Sequence, residues 1–281
     1  MDREEDLRER LVSHMQRMRT LHDANVTAAF RAVPRHRFVP EQPLEAAYED
    51  RALPLKESDG AVLSSISQPS MIAQMLELLD ARSGARILEI GTGSGYNAAL
   101  LATIAGPRGV VVTVELEADL AQRARTILDE LGFHNVDVRT GNGETLPIDG
   151  MFDRIIVTAR EDDIPLVWWD ALGEGGRIVI PLDLPYGGER VVAFVRTGNR
   201  LLSIATQPCL FIGMREREGE RSGDIFFRNA SLRYNATPSA QAPLAIVGMR
   251  RADVQPDMLE EADVVVARPE TFFAITHLTR A

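Results

Sequence analysis

Ile87-Leu88-Glu89-Ile90-Gly91-Thr92-Gly93-Ser94-Gly95-Tyr96 is the stretch that decides the fold. A short apolar run ends in a tight glycine turn, and a segment of helical character, Asn97 to Ile104, follows it. A second apolar run, Gly109 to Val114, ends in Glu115. Strand, glycine loop, helix, strand and acid make a nucleotide-binding half-unit: the glycines let backbone approach a ligand, and the acid can accept from both ribose hydroxyls.

The glycine spacing narrows the ligand. A dinucleotide fingerprint wants its third glycine three residues after the second, because a pyrophosphate then sits on the helix N-terminus. Here Gly95 follows Gly93 by two. The G-x-G-x-G form, with Glu89 before it and Glu115 after it, suits S-adenosylmethionine (SAM), which has no pyrophosphate. NAD(P) and a purely structural glycine turn stay open as alternatives.

The same strand–helix alternation runs on from the loop. Strands are expected at Ala85 to Ile90, Val110 to Val114, Val136 to Thr140, Phe152 to Thr158 and Gly176 to Pro181. Helices are expected over Asn97 to Ile104, Glu117 to Leu131 and Leu166 to Leu172, and further strands over Arg190 to Arg196 and Leu201 to Pro208. This pattern predicts an α/β fold with a doubly wound, mainly parallel sheet. Upstream, residues 4–32 read as two helices, 41–63 as loop, and Gln68 to Leu79 as an amphipathic helix opened by Pro69, with Ile72, Met75, Leu76 and Leu79 inward. Downstream, the charged run Arg215 to Gly223 reads as a solvated linker, and apolar clusters beyond it predict an ordered α+β extension. The expected division is 1–64, an N-terminal helical and loop region packed on the catalytic domain; 65–214, catalytic domain; 215–223, linker; and 224–281, extension.

Bulk properties set further expectations. At 281 residues, with 45% hydrophobic and 26% charged residues, the chain can build a sizeable core. A formal charge of -10 argues against nucleic acid as the main partner. No apolar run approaches a membrane span, and the charged start Met1-Asp2-Arg3-Glu4-Glu5-Asp6 is no signal peptide, so the expected location is cytoplasmic. The single cysteine, Cys209, excludes an internal disulfide and lies in an apolar stretch that suggests a buried, inert thiol. No metal-ligand cluster stands out. His14, His22, His134 and His277 are scattered and read as surface or capping residues, and His36 reads as structural.

Several separate segments carry a resemblance. Val33-Pro34-Arg35-His36-Arg37-Phe38-Val39-Pro40, Ala47-Tyr48-Glu49-Asp50 with Ala52-Leu53-Pro54, and Ser65-Ile66-Ser67-Gln68-Pro69 with Met71 precede the glycine loop. Phe152 to Ala159, Ile164-Pro165 and Gly175 to Pro181 follow it. In this set and order the chain resembles the protein-L-isoaspartate O-methyltransferases from about residue 5 to about residue 214. The resemblance implies a SAM-dependent methyltransferase that esterifies an aspartyl-type or isoaspartyl carboxylate in a peptide or protein, leading to a succinimide. It implies catalytic roles for Ser67 and Ser65. Cofactor contacts are implied for Ser65, Ile66, Ser67, Glu89, Gly91, Thr92, Gly93, Ser94, Glu115, Leu116, Asn142 and Gly143. The bland reading of Ser65 and Ser67 is that they cap the helix that begins near Pro69.

The chain departs from the family pattern in places. Gly141-Asn142-Gly143 replaces the usual Gly-Asp-Gly, and Asn142 keeps an acceptor and donors for adenine. Phe211-Ile212-Gly213-Met214 stands where a Val-Pro-Leu-like segment is usual, Trp168-Trp169 is uncommon, and the chain continues for more than sixty residues. The extension and the 211–214 stretch favour a branch that tailors an ordinary aspartate of a ribosomal peptide. The alternative is repair of damaged isoaspartyl residues. A non-enzymatic peptide-binding module is a weaker alternative, which an intact SAM loop disfavours.

Overall fold

The computed structural model describes residues 2–161, 164–184 and 188–214, with the backbone of four further strands at 225–228, 231–234, 245–248 and 264–267. The chain divides into two compact units.

The first unit comprises Met1–Gly143 with Arg154–Thr158. Helix α1 (Arg3–Arg17) opens with a capping box between Asp2 and Glu5, and buries Leu11, Val12 and Met15. Helix α2 (Ala24–Ala32) is capped by Asp23, whose side chain accepts from the N–H groups of Asn25 and Val26. A single 3-10 turn, Arg35–Phe38, and the short helix α3 (Leu44–Ala47) follow.

Residues 41–63, expected as loop, instead carry an antiparallel hairpin of β1 (Leu53–Ser58) and β2 (Ala61–Ile66). The reason is the turn. Asp59 and Gly60 both have positive φ, at 51° and 78°, as a two-residue hairpin turn with right-handed strand twist requires. Strand β2 runs through the boundary expected at 64/65.

Helix α4 (Pro69–Leu79) has proline as its first residue and buries Ile72, Met75, Leu76 and Leu79, the inward face expected from the sequence. Then the alternation proceeds through β3 (Arg86–Ile90), α5 (Tyr96–Ala105), β4 (Val110–Glu115), α6 (Ala118–Glu130), β5 (Val136–Thr140) and β6 (Phe152–Val157). All strand pairs here are parallel, in the order β6-β3-β4-β5. Strand β3 is therefore interior, which is why Ile87, Leu88 and Ile90 are apolar and buried. In such sheets ligands bind beyond the carboxyl ends of the strands, where the glycine loop lies.

The second unit comprises Glu144–Asp153 with Ala159–Ala281. Helix α7 (Leu166–Ala171) leads directly into β7 (Leu172–Leu184), followed by β8 (Gly188–Thr197) and β9 (Arg200–Pro208). Strand β7 is longer than the expected 176–181, and β7, β8 and β9 pair antiparallel. The parallel character read from the sequence thus belongs to the first unit. Beyond residue 214, β10 (Ile225–Arg228) pairs with β11 (Ser231–Tyr234), β12 (Ala245–Gly248) with β13 (Val264–Ala267), and β13 with β9. The described part of the extension is strand alone; the linker and any helix of the extension lie outside the described residues. Among the described residues no helix is long and apolar enough to cross a membrane.

Candidate cofactor and methyl-transfer site

The glycine loop is held in place from three sides. Thr158, following β6, donates its N–H to Ile90 O at 2.9 Å and its Oγ1 hydrogen to Gly91 O at 2.7 Å. A Cβ on Gly91 would stand 2.4 Å from that Oγ1, so glycine is obligatory there. Gly95 caps α5 at φ 86°, and a Cβ on it would crowd Ala124 and Leu128 of α6 at 3.2–3.3 Å. These two glycines have packing reasons. Gly93, at φ 54°, has a different neighbour: its Cβ direction faces Leu55, Ser65 O and Ser64 Oγ at 3.6–3.8 Å. The end of the hairpin thus lies over the middle glycine of the loop.

Glu115 ends β4 and is buried. Its Oε2 accepts from Gly93 N at 2.8 Å and its Oε1 from Glu117 N at 3.0 Å. Each oxygen of a carboxylate has a second lone pair, so two ribose hydroxyls can still be accepted. Gly141 N donates to Glu115 O at 2.8 Å, which brings Asn142 and Gly143 to the same end of the sheet. Leu116 follows Glu115 and is half-buried. Ser94 is buried, and its Oγ accepts from Tyr96 N at 3.3 Å as α5 begins. Thr92 is buried too, with its Oγ1 2.7 Å from Thr113 Oγ1. Glu89 lies beneath the loop without exposure: Oε1 accepts from Asn97 Nδ2 at 2.7 Å and Oε2 from Thr113 Oγ1 at 2.6 Å. Burial pushes its carboxyl up to about 7, against the two hydrogen bonds and with the help of the Glu115 charge.

The Ser65–Ser67 segment joins the hairpin to α4. Ser65 is half-buried in β2 opposite Pro54, Ile66 is buried, and Ser67 is half-buried just before the helix. Neither serine caps α4. Its N-cap is Gln68, with no side-chain capping bond. Asp50 does that work from a distant turn: Oδ1 accepts from Ser70 N at 2.8 Å and Oδ2 from Gln68 Nε2 at 3.3 Å. The Tyr48-Glu49-Asp50 stretch is pinned by these bonds and by His36 Nδ1 against Tyr48 OH at 2.9 Å. His36 Nε2 also meets Glu4 at 3.0 Å, a structural role as expected.

Arg35, in the Val33 to Pro40 segment, has a role that its spacing does not announce. It is fully buried, donates from Nε to Ala47 O and from Nη2 to Ser67 O, both at 2.9 Å, and stacks 5.0 Å from the Tyr96 ring. Desolvation lowers it to about 10, so it stays charged at neutral pH. Its sequence signal was a cation enclosed by Pro34, Phe38 and Pro40. Lys56 on β1 has such a role too: its Nζ reaches Glu117 at 2.6 Å and Asp119 at 2.9 Å, tying the hairpin to the start of α6.

In the second unit, Trp168 and Trp169 are buried, with the Arg196 guanidinium 5.9 Å from the Trp169 ring, so they are core. The 209–214 segment is held by Glu189 and Arg160. Cys209 N donates to Glu189 O at 3.0 Å, Phe211 N to Glu189 Oε2 at 2.9 Å, and Arg160 Nη1 meets Glu189 Oε1 at 2.6 Å. Arg160 N also donates to Ile212 O, and Met214 N to Arg160 O. Cys209 is half-buried rather than buried, and burial with the nearby Glu189 charge pushes its thiol up to about 11, which keeps it inert.

Comparison with known proteins decides the class. The family model described as protein-L-isoaspartate(D-aspartate) O-methyltransferase matches residues 5–219. The chain belongs to this family. A protein-L-isoaspartate O-methyltransferase of Gloeobacter violaceus is 40% identical over 212 residues, covering 75% of this chain and all of its own length (100%). One of Methanoculleus marisnigri is 42% identical over 206 residues, covering 73% of this chain and 90% of its own. A solved protein-L-isoaspartate O-methyltransferase superposes with a TM-score of 0.68 at 29% identity, covering 78% of this chain and 72% of its own. A solved relative from Plasmodium falciparum, a complex with S-adenosyl-L-homocysteine (SAH), shares the fold at 19% identity, with a TM-score of 0.65, 77% of this chain and 100% of its own covered. The protein is a SAM-dependent carboxyl O-methyltransferase with the α/β methyltransferase fold. Its loop fits that cofactor: an acid with spare lone pairs ends β4, and the middle glycine faces the hairpin.

Proposed function

We propose that the protein methylates L-isoaspartyl residues of damaged proteins and so starts their return to aspartate. The relatives reported above carry the isoaspartate name over nearly their whole length, which supports repair over the tailoring of a dedicated peptide that the extension and the 211–214 stretch favoured. The observation that carries the reading is the Ser65–Ser67 segment, held against the glycine loop with its hydroxyls released from helix capping.

A carboxyl group with an ordinary pKa of about 4 is already ionised at neutral pH, so the acceptor needs no general base. Bound SAM supplies an electrophilic methyl group. The chain's part is to align the acceptor and exclude water. In this reading Ser67 and Ser65 hold the carboxylate as neutral donors, and Arg35 fixes the Ser67 backbone through its carbonyl. Glu115 takes the ribose hydroxyls, Asn142 and Gly143 the adenine, and Ile66, Gly91, Thr92, Gly93, Ser94 and Leu116 line the remainder, with Glu89 behind them. Methyl esterification makes the carbonyl a good electrophile for the following backbone nitrogen, and a succinimide results.

The test supplies SAM with a synthetic isoaspartyl peptide and, separately, its aspartyl counterpart, and follows ester and dehydrated product by mass spectrometry. Methylation of the isoaspartyl peptide alone is expected. Preferential methylation of the aspartyl peptide would overturn the repair reading.

A further inference from the structure

Glu89, Thr113 and Thr92 form a chain of hydrogen bonds from the interior of the sheet to the glycine loop. Glu89 Oε2 and Thr113 Oγ1 are 2.6 Å apart, and Thr113 Oγ1 and Thr92 Oγ1 are 2.7 Å apart. Glu89 and Thr113 have no exposure and Thr92 almost none, so no solvent interrupts the chain.

Each threonine hydroxyl has a single proton to give. An ionised Glu89 only accepts, so Thr113 donates to it. Thr92 must then donate to Thr113, and it can offer a ligand only lone pairs. With a proton on Oε2, Glu89 donates to Thr113, Thr113 donates to Thr92, and the Thr92 proton is released toward the ligand. One proton taken from or returned to solvent therefore reverses the polarity of a hydroxyl in the loop. No covalent bond other than O–H is made or broken. Asn97 Nδ2 donates to the other oxygen, Oε1, and serves in both states.

We propose that Glu89 is a proton-controlled positioning residue: its charge, relayed through Thr113, turns Thr92 into an acceptor toward SAM and favours the cationic cofactor over neutral SAH. This rests on the reading that Thr92 lines the SAM site. Burial raises the Glu89 carboxyl to about 7, so the switch operates in the neutral range. Among the described residues, Glu115 on the adjacent strand is the charged group that acts on it, and it raises the value further. Thr113 and Asn97, the other groups facing it, are neutral and lower it. SAM carries a sulfonium charge that SAH lacks, so a Thr92 hydroxyl turned to offer lone pairs rather than its proton discriminates between the two.

Calorimetric titration of SAM and SAH between about pH 6 and pH 9 tests this. For the wild type, SAM affinity is expected to rise about tenfold more than SAH affinity across that range. In Glu89→Gln the amide donates permanently to Thr113, so the extra rise should vanish and the affinity should stay at the acid-form value. Thr113→Ser keeps the relay and should retain the wild-type profile; Thr113→Val cuts it and should flatten the profile, with the fold of each variant checked by circular dichroism. A Thr113→Val profile as steep as the wild type overturns the relay, and a wild type that parallels Glu89→Gln overturns the switch altogether. Thr92→Val separates the underlying reading: unchanged SAM affinity at pH 8 removes Thr92 from the site, whereas weakened affinity with parallel wild-type and Glu89→Gln profiles leaves the site standing and the switch refuted.

Discussion

The glycine loop and the 209–214 segment are both short irregular stretches, yet they are held in opposite ways. The loop is fixed by buried and half-buried groups: Thr158, half-buried, on Gly91, and Glu115 and Thr113, both buried, on Gly93 and Thr92. The 209–214 segment is held by backbone pairing, by Phe211 N donating to Glu189 Oε2, and by the Arg160–Glu189 ion pair, whose side chains are 35% and 13% exposed. Buried polar networks are costly to perturb, because a lost partner leaves an unsatisfied group. A partly exposed pair is worth little. The difference teaches where a substitution should cost most: in the buried contacts of the loop, and least in the 209–214 segment.

The largest effect expected is that of Glu115→Ala. It removes the acceptor for ribose and the partner of Gly93 N, and charge-assisted bonds of this kind contribute roughly 1.5–3 kcal/mol. SAM affinity measured by calorimetry should fall at least tenfold with the fold retained; an unchanged value would remove Glu115 from the site.

Glu89→Gln sharpens the comparison through stability. A carboxyl whose folded value is raised from 4.5 to about 7 binds its proton more tightly when folded, so the wild type loses stability as pH rises between those values and has lost it all above about 7. Glutamine escapes this loss. The variant should melt higher than the wild type at about pH 8, by on the order of 2 kcal/mol, with the gap closing toward pH 5. A gap of equal size at both pH values would show that Glu89 is not the titrating group.

Ser67→Ala should lower turnover about tenfold and change SAM affinity less than twofold, because its hydroxyl acts on the acceptor rather than the cofactor. If steady-state kinetics show neither parameter moving, Ser67 is only a connector. The smallest effect is expected at the other region. Glu189→Ala should cost about 1 kcal/mol in thermal unfolding, after allowance for solvent screening of the pair. SAM affinity should stay untouched; a drop as large as that of Glu115→Ala would erase the contrast between the two regions.

Most of the first unit was legible because its elements obey local rules. Pro69 opens a helix, Glu115 ends a strand, and alternating apolar runs of strand and helix length leave few topologies. The hairpin was missed because Leu53 to Ser58 lacks a clean alternation, although Asp59-Gly60 carried the signal of its turn. The glycine loop and Glu115 were readable by spacing. Roles that depend on distant partners were not: Asp50 caps a helix twenty residues later, and Arg35 reaches Ser67 across thirty-two. No periodicity encodes such meetings. The antiparallel run of β7 to β9 was visible as strands, but orientation follows from short connections such as the turn at Gly198, which composition alone did not single out.

Trp168 and Trp169 are the chain's two tryptophans, and both are buried in the second unit. Among the described residues the long helices, by contrast, all belong to the first. The molecule therefore carries its own pair of optical labels. Tryptophan emission reports the β7–β9 unit alone, while far-ultraviolet dichroism is weighted toward the unit with the glycine loop. Denaturation followed by both signals on one sample would show, without any added dye, whether the two units melt together.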